Sequence, residues 1–284
     1  MTPTDTPSPS ALPQRPALAG ELLRIPSQIR HSSLEDRVVD PAAHAPPGLL
    51  AVRDWLLVAL SFSTGMYEAI CFLSFGKVFS AFQTGNIVFV GVVAAGTRAP
   101  LGPNAVTVVI SLAAFAAGAA LAMPVLKAFG ANADLRGNRS IQVWPRRVSA
   151  ALGIGCLMQA GFLAVWMTTS SPAHRAYILI ALGAFAMGLQ MNAIRSLQVP
   201  SVSTTAFTAT FISWVSAVQS RSLTKPAARR LTGSLVGLAA GGFLGDWMLS
   251  HAHSYAPAVP VAVIATVIAI ASVALRHGPI PEKA

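Results

Sequence analysis

A chain of 284 residues that is 54% hydrophobic and only 11% charged, with a mean hydropathy of +0.60, is too apolar for a soluble domain. Nearly uncharged runs about twenty residues long recur from Trp55 onward, the length that a hydrocarbon core of about 30 Å demands. The composition therefore excludes a soluble enzyme and predicts an all-α, polytopic membrane helix bundle whose surroundings are the lipid bilayer. The net charge of +10 gathers in two stretches, 127–147 and 221–230, as in loops held on the cytoplasmic side. These stretches lack groove-reading or aromatic partners, so no nucleic-acid partner is expected.

In chain order, residues 1–53 are rich in Pro, Ser and Ala without any apolar period, and predict a disordered cytoplasmic tail. Arg53, Asp54 and Trp55 then mark the boundary between water and lipid. Six runs predict plain spanning helices: 55–75, 104–126, 148–169, 175–196, 231–250 and 257–275. Two others, 78–97 and 199–218, are long enough but polar at their centres. The first carries Ser80, Gln83, Thr84 and Asn86; the second carries Ser203, Thr204, Thr205, Thr208, Thr210, Ser213 and Ser216.

Charge decides how these segments are threaded. Eight crossings would put the two basic stretches on opposite faces, against the orientation rule. Two re-entrant or broken polar segments bring both stretches to one face, together with both termini. Non-helical backbone at membrane depth is tolerated where protein or water meets its polar groups. The expected organisation is thus a tail (1–53), a first membrane repeat (54–127), a basic cytoplasmic loop (128–147), a further helix with a second repeat (148–275), and a short cytoplasmic tail (276–284).

The repeat is visible in the residues. At constant spacing, Ala69 pairs with Ala193, Ile70 with Ile194, Leu73 with Leu197, Val78 with Val202 and Thr84 with Thr208. One inserted residue near Met191 brings Gly65 onto Gly188 and Glu68 onto Asn192. With three crossings per repeat the two halves are inverted, a recurring plan of secondary transporters. The motifs Thr64-Gly65-Met66-Tyr67-Glu68-Ala69, Thr84-Gly85-Asn86 and Gly188-Leu189-Gln190-Met191-Asn192-Ala193 resemble signatures of the YoaK-like family of bacterial multi-pass membrane proteins, a domain of unknown function. The resemblance covers about residues 54–275 and implies a bacterial membrane protein. The chain departs from the pattern at Glu68, where Asp is expected, at Met191 between the Gln and Asn, and at Ala209-Thr210 in place of a glycine-containing turn.

Several residues carry chemistry. Glu68 lies deep in its span, where an unpaired ionised acid costs several kcal/mol. It reads as a proton or cation coupling site, or as a structural acid bonded to Gln190 or Asn192. Gly65, Thr84, Gly85, Asn86, Gln190, Asn192 and Thr208 are the further substrate or coupling candidates, since half-helix ends and hydroxyls can bind polar solutes. Alternatively, the Thr side chains bond only to their own helix. Gly233, Gly237, Gly241 and Gly245 form a row on one face and predict close helix packing, within the chain or between protomers of a homo-oligomer. Trp55, Trp144, Trp166 and Trp247 read as interface anchors. Asp246 and Arg195, near helix ends, read as snorkelling side chains. Cys71 and Cys156 sit in apolar runs, and His251 and His253 alone are a weak metal signal, so neither a cofactor nor a metal is expected. With no readable nucleophile–base pair, the chain reads as a non-enzyme. It is expected to be a secondary transporter or permease for a small solute in the bacterial cytoplasmic membrane, or else a sensor or assembly module docking a partner through its glycine row.

Overall fold

The computed structural model describes residues 40–96, 104–130, 142–168, 172–199 and 207–275. Residues 1–39 of the expected tail at 1–53, the tail at 276–284, residues 131–141 of the basic loop, and Ser203 to Thr205 lie outside them. The regular structure of the described residues is helical: α1 (Pro47–Ser74), α2 (Gln83–Ala94), α3 (Ala105–Ala128), α4 (Arg146–Thr168), α5 (Pro172–Arg195), α6 (Phe207–Gln219), α7 (Lys225–His251) and α8 (Ala258–Ala274), with a 3-10 turn at His253–Tyr255. Local chemistry sets several ends. Asn104 caps α3 by accepting from the Val106 N–H at 2.8 Å, and Thr224 does the same for α7 with Pro226 in its first turn.

Helix directions follow from which ends meet. One apolar cluster joins Leu56, Leu57 and Leu60 at the start of α1 to Val148, Ala151 and Leu152 at the start of α4. The same cluster contains Leu126, Ala193, Ile194, Leu197 and Ala271, which end α3, α5 and α8. A second cluster joins Ile70 and Cys71 near the end of α1 and Phe162 and Trp166 of α4 to Val108, Leu179 and Ile180, which begin α3 and α5. Hence α1 and α4 run one way, and α3, α5 and α8 run back. Helix α7 lies along α1 in parallel: Gly237 meets Val58 and Phe62, while Gly245, two turns on, meets Met66 and Ala69.

We call the face where α1 begins the near face, and the opposite one the far face. Five helices are long and apolar enough to cross a bilayer: α1, α3, α4, α5, and α8 with the turn preceding it. The 27-residue α7 traverses the same thickness beside α1, its apolarity diluted by glycine. Helix α1 ends and α3 begins on the far face, so α2 enters and leaves there. Helix α5 ends and α7 begins on the near face, so α6 enters and leaves there. At 12 and 13 residues, α2 and α6 reach about 18–20 Å, short of the hydrocarbon core. The fold is six spans with two re-entrant elements, and its halves, α1–α4 and α5–α8, are inverted.

The halves interlock by exchange: α1 packs on α7, and α5 packs on α3. The contact is backbone on backbone. A Cβ on Gly65 would overlap the Leu238 carbonyl, and one on Gly241 would overlap the Phe62 carbonyl. The second crossing repeats this with Gly188 against the Phe115 carbonyl and Gly118 against the Phe185 carbonyl. Gly65 and Gly188 hold equivalent places in the two crossings, as the sequence repeat aligned them.

Three expectations need correction. The ordered fold begins before residue 53: Asp40 to Pro46 form turns leading into α1, because Asp40 holds Arg53 through a two-pronged ion pair at 3.0 and 2.7 Å. Trp144 and Trp166 are buried rather than at a lipid boundary, since their indole N–H groups bond to Ser149 Oγ and the His253 carbonyl; Trp55 and Trp247 are exposed. The glycine row on α7 is covered by α1 of the same chain, which leaves it unavailable to a partner protein or a second copy.

Replacing Gly241 or Gly188 with Ala should therefore lower the melting temperature sharply, at a cost of about 2 kcal/mol or more, because a backbone carbonyl must move. Gly91→Ala meets nothing within 4 Å and should be neutral or slightly stabilising. Thermal unfolding of the detergent-solubilised variants compares the two groups.

Candidate functional site

The backbone between α1 and α2 turns back through Gly76 and Lys77, both at positive φ (75° and 63°), and descends beside α1 to Glu68. Irregular backbone at this depth must be satisfied by side chains. Glu68 Oε1 accepts three donors: the Ser80 N–H at 3.0 Å, the Ser80 hydroxyl, and the Ala81 N–H at 2.6 Å. Asn86 closes the other side. It accepts from the Phe79 N–H at 3.1 Å and donates to the Phe79 carbonyl at 2.7 Å and to Gln83 Oε1 at 2.8 Å. Ser111 of α3 donates to the Phe79 carbonyl at 2.6 Å and accepts from Gln83 and Asn86, both at 3.2 Å. Gln83 also donates to the Ser80 carbonyl at 2.7 Å.

Glu68 thus stands where the positive end of α2 begins, a favourable place for a carboxylate. Its partners are the Ser80–Ala81 backbone and hydroxyl rather than Gln190 or Asn192. Gln190 donates to Thr64 Oγ1 at 3.0 Å, and Asn192 to the Ala119 carbonyl at 2.6 Å. Glu68 Oε2 is buried without a hydrogen-bond partner, as are Gln190 Oε1 and Tyr67 Oη.

Glu68, Gly85 and Asn86 come together at this loop, with Thr84 exposed on the first turn of α2. Gly65 lies in the helix crossing. Thr208 is exposed on the first turn of α6, while Thr210 and Ser213 behind it are buried. The two short helices meet at their starts. Phe82, which precedes α2, and Phe207, which opens α6, stack edge to face with centroids 6.1 Å apart. The amino-terminal ends of two half-helices inserted from opposite faces therefore converge inside the bundle.

The halves differ in how they hold these elements. Ser111 and Ser234 occupy matching positions, each seven residues before the glycine that crosses the partner helix. Ser111 makes three hydrogen bonds, whereas the buried Ser234 hydroxyl makes none. The acid of the first half is also replaced in the second, where Asn192 serves the α3–α5 crossing instead.

A second polar centre escaped the sequence reading. Asp54, fully buried at the near face, pairs with Arg229 at 2.6 Å, Arg53 at 3.5 Å and Arg230 at 3.8 Å. The signal was present: Arg229-Arg230 opens α7 as Arg53-Asp54 opens α1, and these helices are parallel partners. At the far face, Arg175 lies 5.1 Å from the Trp166 ring and donates to its carbonyl at 2.6 Å. His253 stacks on Trp166 and His251 on Trp247, so the two histidines are engaged with different rings. Among the described residues, no three His, Cys, Asp or Glu side chains are grouped to hold a metal. Arg195 and Asp246 are exposed.

Six spans, inverted halves and a pair of converging half-helices around a buried acid define a polytopic helical membrane protein of the broken-helix, inverted-repeat class. Residues 56–271 match the family described as "Protein of unknown function (DUF1275)", and the chain belongs to that family. It is similar to the UPF0700 transmembrane protein YoaK of Bacillus subtilis (strain 168), at 28% identity over 172 residues spanning 60% of this chain and 69% of the relative. No solved structure matches it.

The loop network gives a paired prediction. Ser111→Ala removes one of the two donors to the Phe79 carbonyl and the hydroxyl acceptor shared by the Gln83 and Asn86 amides, and should cost about 1–2 kcal/mol. Ser234→Ala removes a hydroxyl without a partner and should be neutral or stabilising. Melting curves of both variants, side by side, check the difference.

Proposed function

We propose that this protein is a secondary transporter or permease for a small polar or amphipathic solute, seated in the bacterial cytoplasmic membrane with its near face inward. The observation that carries this reading is the meeting of Phe82 and Phe207, where half-helices from the two faces converge between inverted repeats. Halves built on the same packing and inverted relative to each other can exchange conformations, which opens a central site to each face in turn. The exposed first-turn hydroxyls of Thr84 and Thr208 and the helix ends behind them form its polar lining.

Orientation rests on charge. Lys127, Arg146, Arg147, Arg195, Arg221, Lys225, Arg229 and Arg230 lie toward the near face, against Lys77 and Arg175 toward the far face. Such a bias marks the cytoplasmic side. The near-face ion pairs among Arg53, Asp54 and Arg229 join α1 of one half to α7 of the other, so they close the bundle on that side.

The test is a thermal-shift screen of the purified protein against a library of small metabolites, followed by uptake of any stabilising compound into proteoliposomes. Uptake above that of protein-free liposomes, reduced at least about tenfold in a Thr84→Val/Thr208→Val double variant, is the expected result. A compound that binds but never accumulates would reject transport in favour of a sensor.

A further inference from the structure

The network around the first re-entrant loop is complete except at one atom. Glu68 Oε1 takes the donors of the Ser80–Ala81 turn, whereas Oε2 is buried without a hydrogen-bond partner. We propose that Glu68 Oε2 is a proton-binding site, and that its occupancy releases the loop at 75–82 and the start of α2 from α1. Using this release as the coupling step of transport rests on the transporter reading; the release itself does not.

An ionised carboxylate only accepts, and the three donors that converge on Oε1 are the part of its surroundings that favours the charge. A proton arriving from the aqueous phase forms one O–H bond on Oε2 and removes the charge, with no other bond made or broken. The three bonds to Oε1 then lose their charge assistance. The new hydroxyl is a buried donor that must find an acceptor, a second demand that movement of the loop can meet. Both effects act on one element. The turn that Glu68 holds is the turn that positions Phe82 against Phe207, so releasing it alters the junction of the two half-helices.

The other ionisable groups beside Glu68 do not offer the same switch. Tyr67 and Cys71, one and three residues away on α1, lie within electrostatic reach of Glu68, and both are neutral in their ordinary forms near pH 7. Lys77 is exposed at the head of the loop, and Asp246 of α7 faces outward. Arg175, at the start of α5, is engaged by Trp166. Helices α2 and α6 have no ionisable side chain, and that of α3, Lys127, is at the near face. The second half has no acid at the matching place, so the proton-bearing half is the first.

The experiment is hydrogen–deuterium exchange of the full chain in nanodiscs across pH, reading the peptide that covers 75–82. Rates are normalised to an unstructured peptide to remove the intrinsic pH effect. In the wild type, protection should fall by about tenfold or more as pH is lowered through a single one-proton transition. Glu68→Gln, which keeps the shape but cannot ionise, should lack the transition and show low protection at every pH. Ser80→Ala keeps the carboxylate and drops one donor; it should show reduced protection at high pH while retaining the transition. A transition that persists in Glu68→Gln, or a Glu68→Gln loop as protected as the ionised wild type, would overturn the proposal. Should Glu68→Gln not fold, a pH-independent loop in both the wild type and Ser80→Ala would overturn it equally. A confirmed release without uptake of any solute would instead fault the transporter reading alone.

Discussion

Everything in this bundle depends on two places where helix backbones touch without side chains between them. Gly65 and Gly241 bring α1 and α7 together, and Gly118 and Gly188 do the same for α3 and α5. Inside a membrane the hydrophobic effect gives helices no reason to associate, so close packing and hydrogen bonds must do it. Each crossing joins a helix of one half to a helix of the other, which makes the halves inseparable. It also places the first helix of each half beside the third of its inverted counterpart, leaving the short second helices, α2 and α6, outside the crossings. Those helices carry largely exposed apolar surfaces, including Ile87 and Val88 on α2 and Phe211 and Ile212 on α6. Their polar residues gather at the amino-terminal ends, where the two elements meet.

From this arrangement comes an asymmetry with chemical meaning. In the first half a complete set of side chains, Glu68, Gln83, Asn86 and Ser111, satisfies the irregular backbone that precedes α2. In the second half the corresponding serine has no partner, and the acid has become an asparagine that braces a crossing. Among the described residues, the first half-helix is tied to α1 through the buried acid Glu68, and no acid stands at the matching place in the second half.

Much of this was readable in advance, for physical reasons. Span lengths, the two polar interruptions and the bias of Lys and Arg foretold six crossings and two re-entrant segments, because bilayer thickness and the positive-inside rule act on composition alone. The four-residue spacing of Gly233 to Gly245 announced a close approach, and the alignment of Gly65 with Gly188 anticipated the matched crossings. What the chain did not disclose was which backbone each glycine would meet, since a small-residue face looks the same whether its partner lies within the chain or outside it. The partners of Glu68 were hidden for a related reason: they are the N–H groups of Ser80 and Ala81, and every residue except proline has one. Asp54 was hidden by its place beside Arg53 at a helix start, where a charged pair ordinarily faces water. Its burial follows from Arg229, 175 residues away in the sequence.

The inversion of the halves is the claim on which the rest stands, and side-specific labelling tests it most directly. With Cys71 and Cys156 replaced by serine, single cysteines at Ser74, Ala95, Arg195 and Ser220 are exposed to an impermeant thiol reagent applied to one face of oriented membranes at a time. The account predicts that positions 74 and 95, which flank α2, label from one face, and that positions 195 and 220, which flank α6, label from the other. Labelling of 74 and 95 from opposite faces would mean that α2 crosses, and the inverted fold would be wrong.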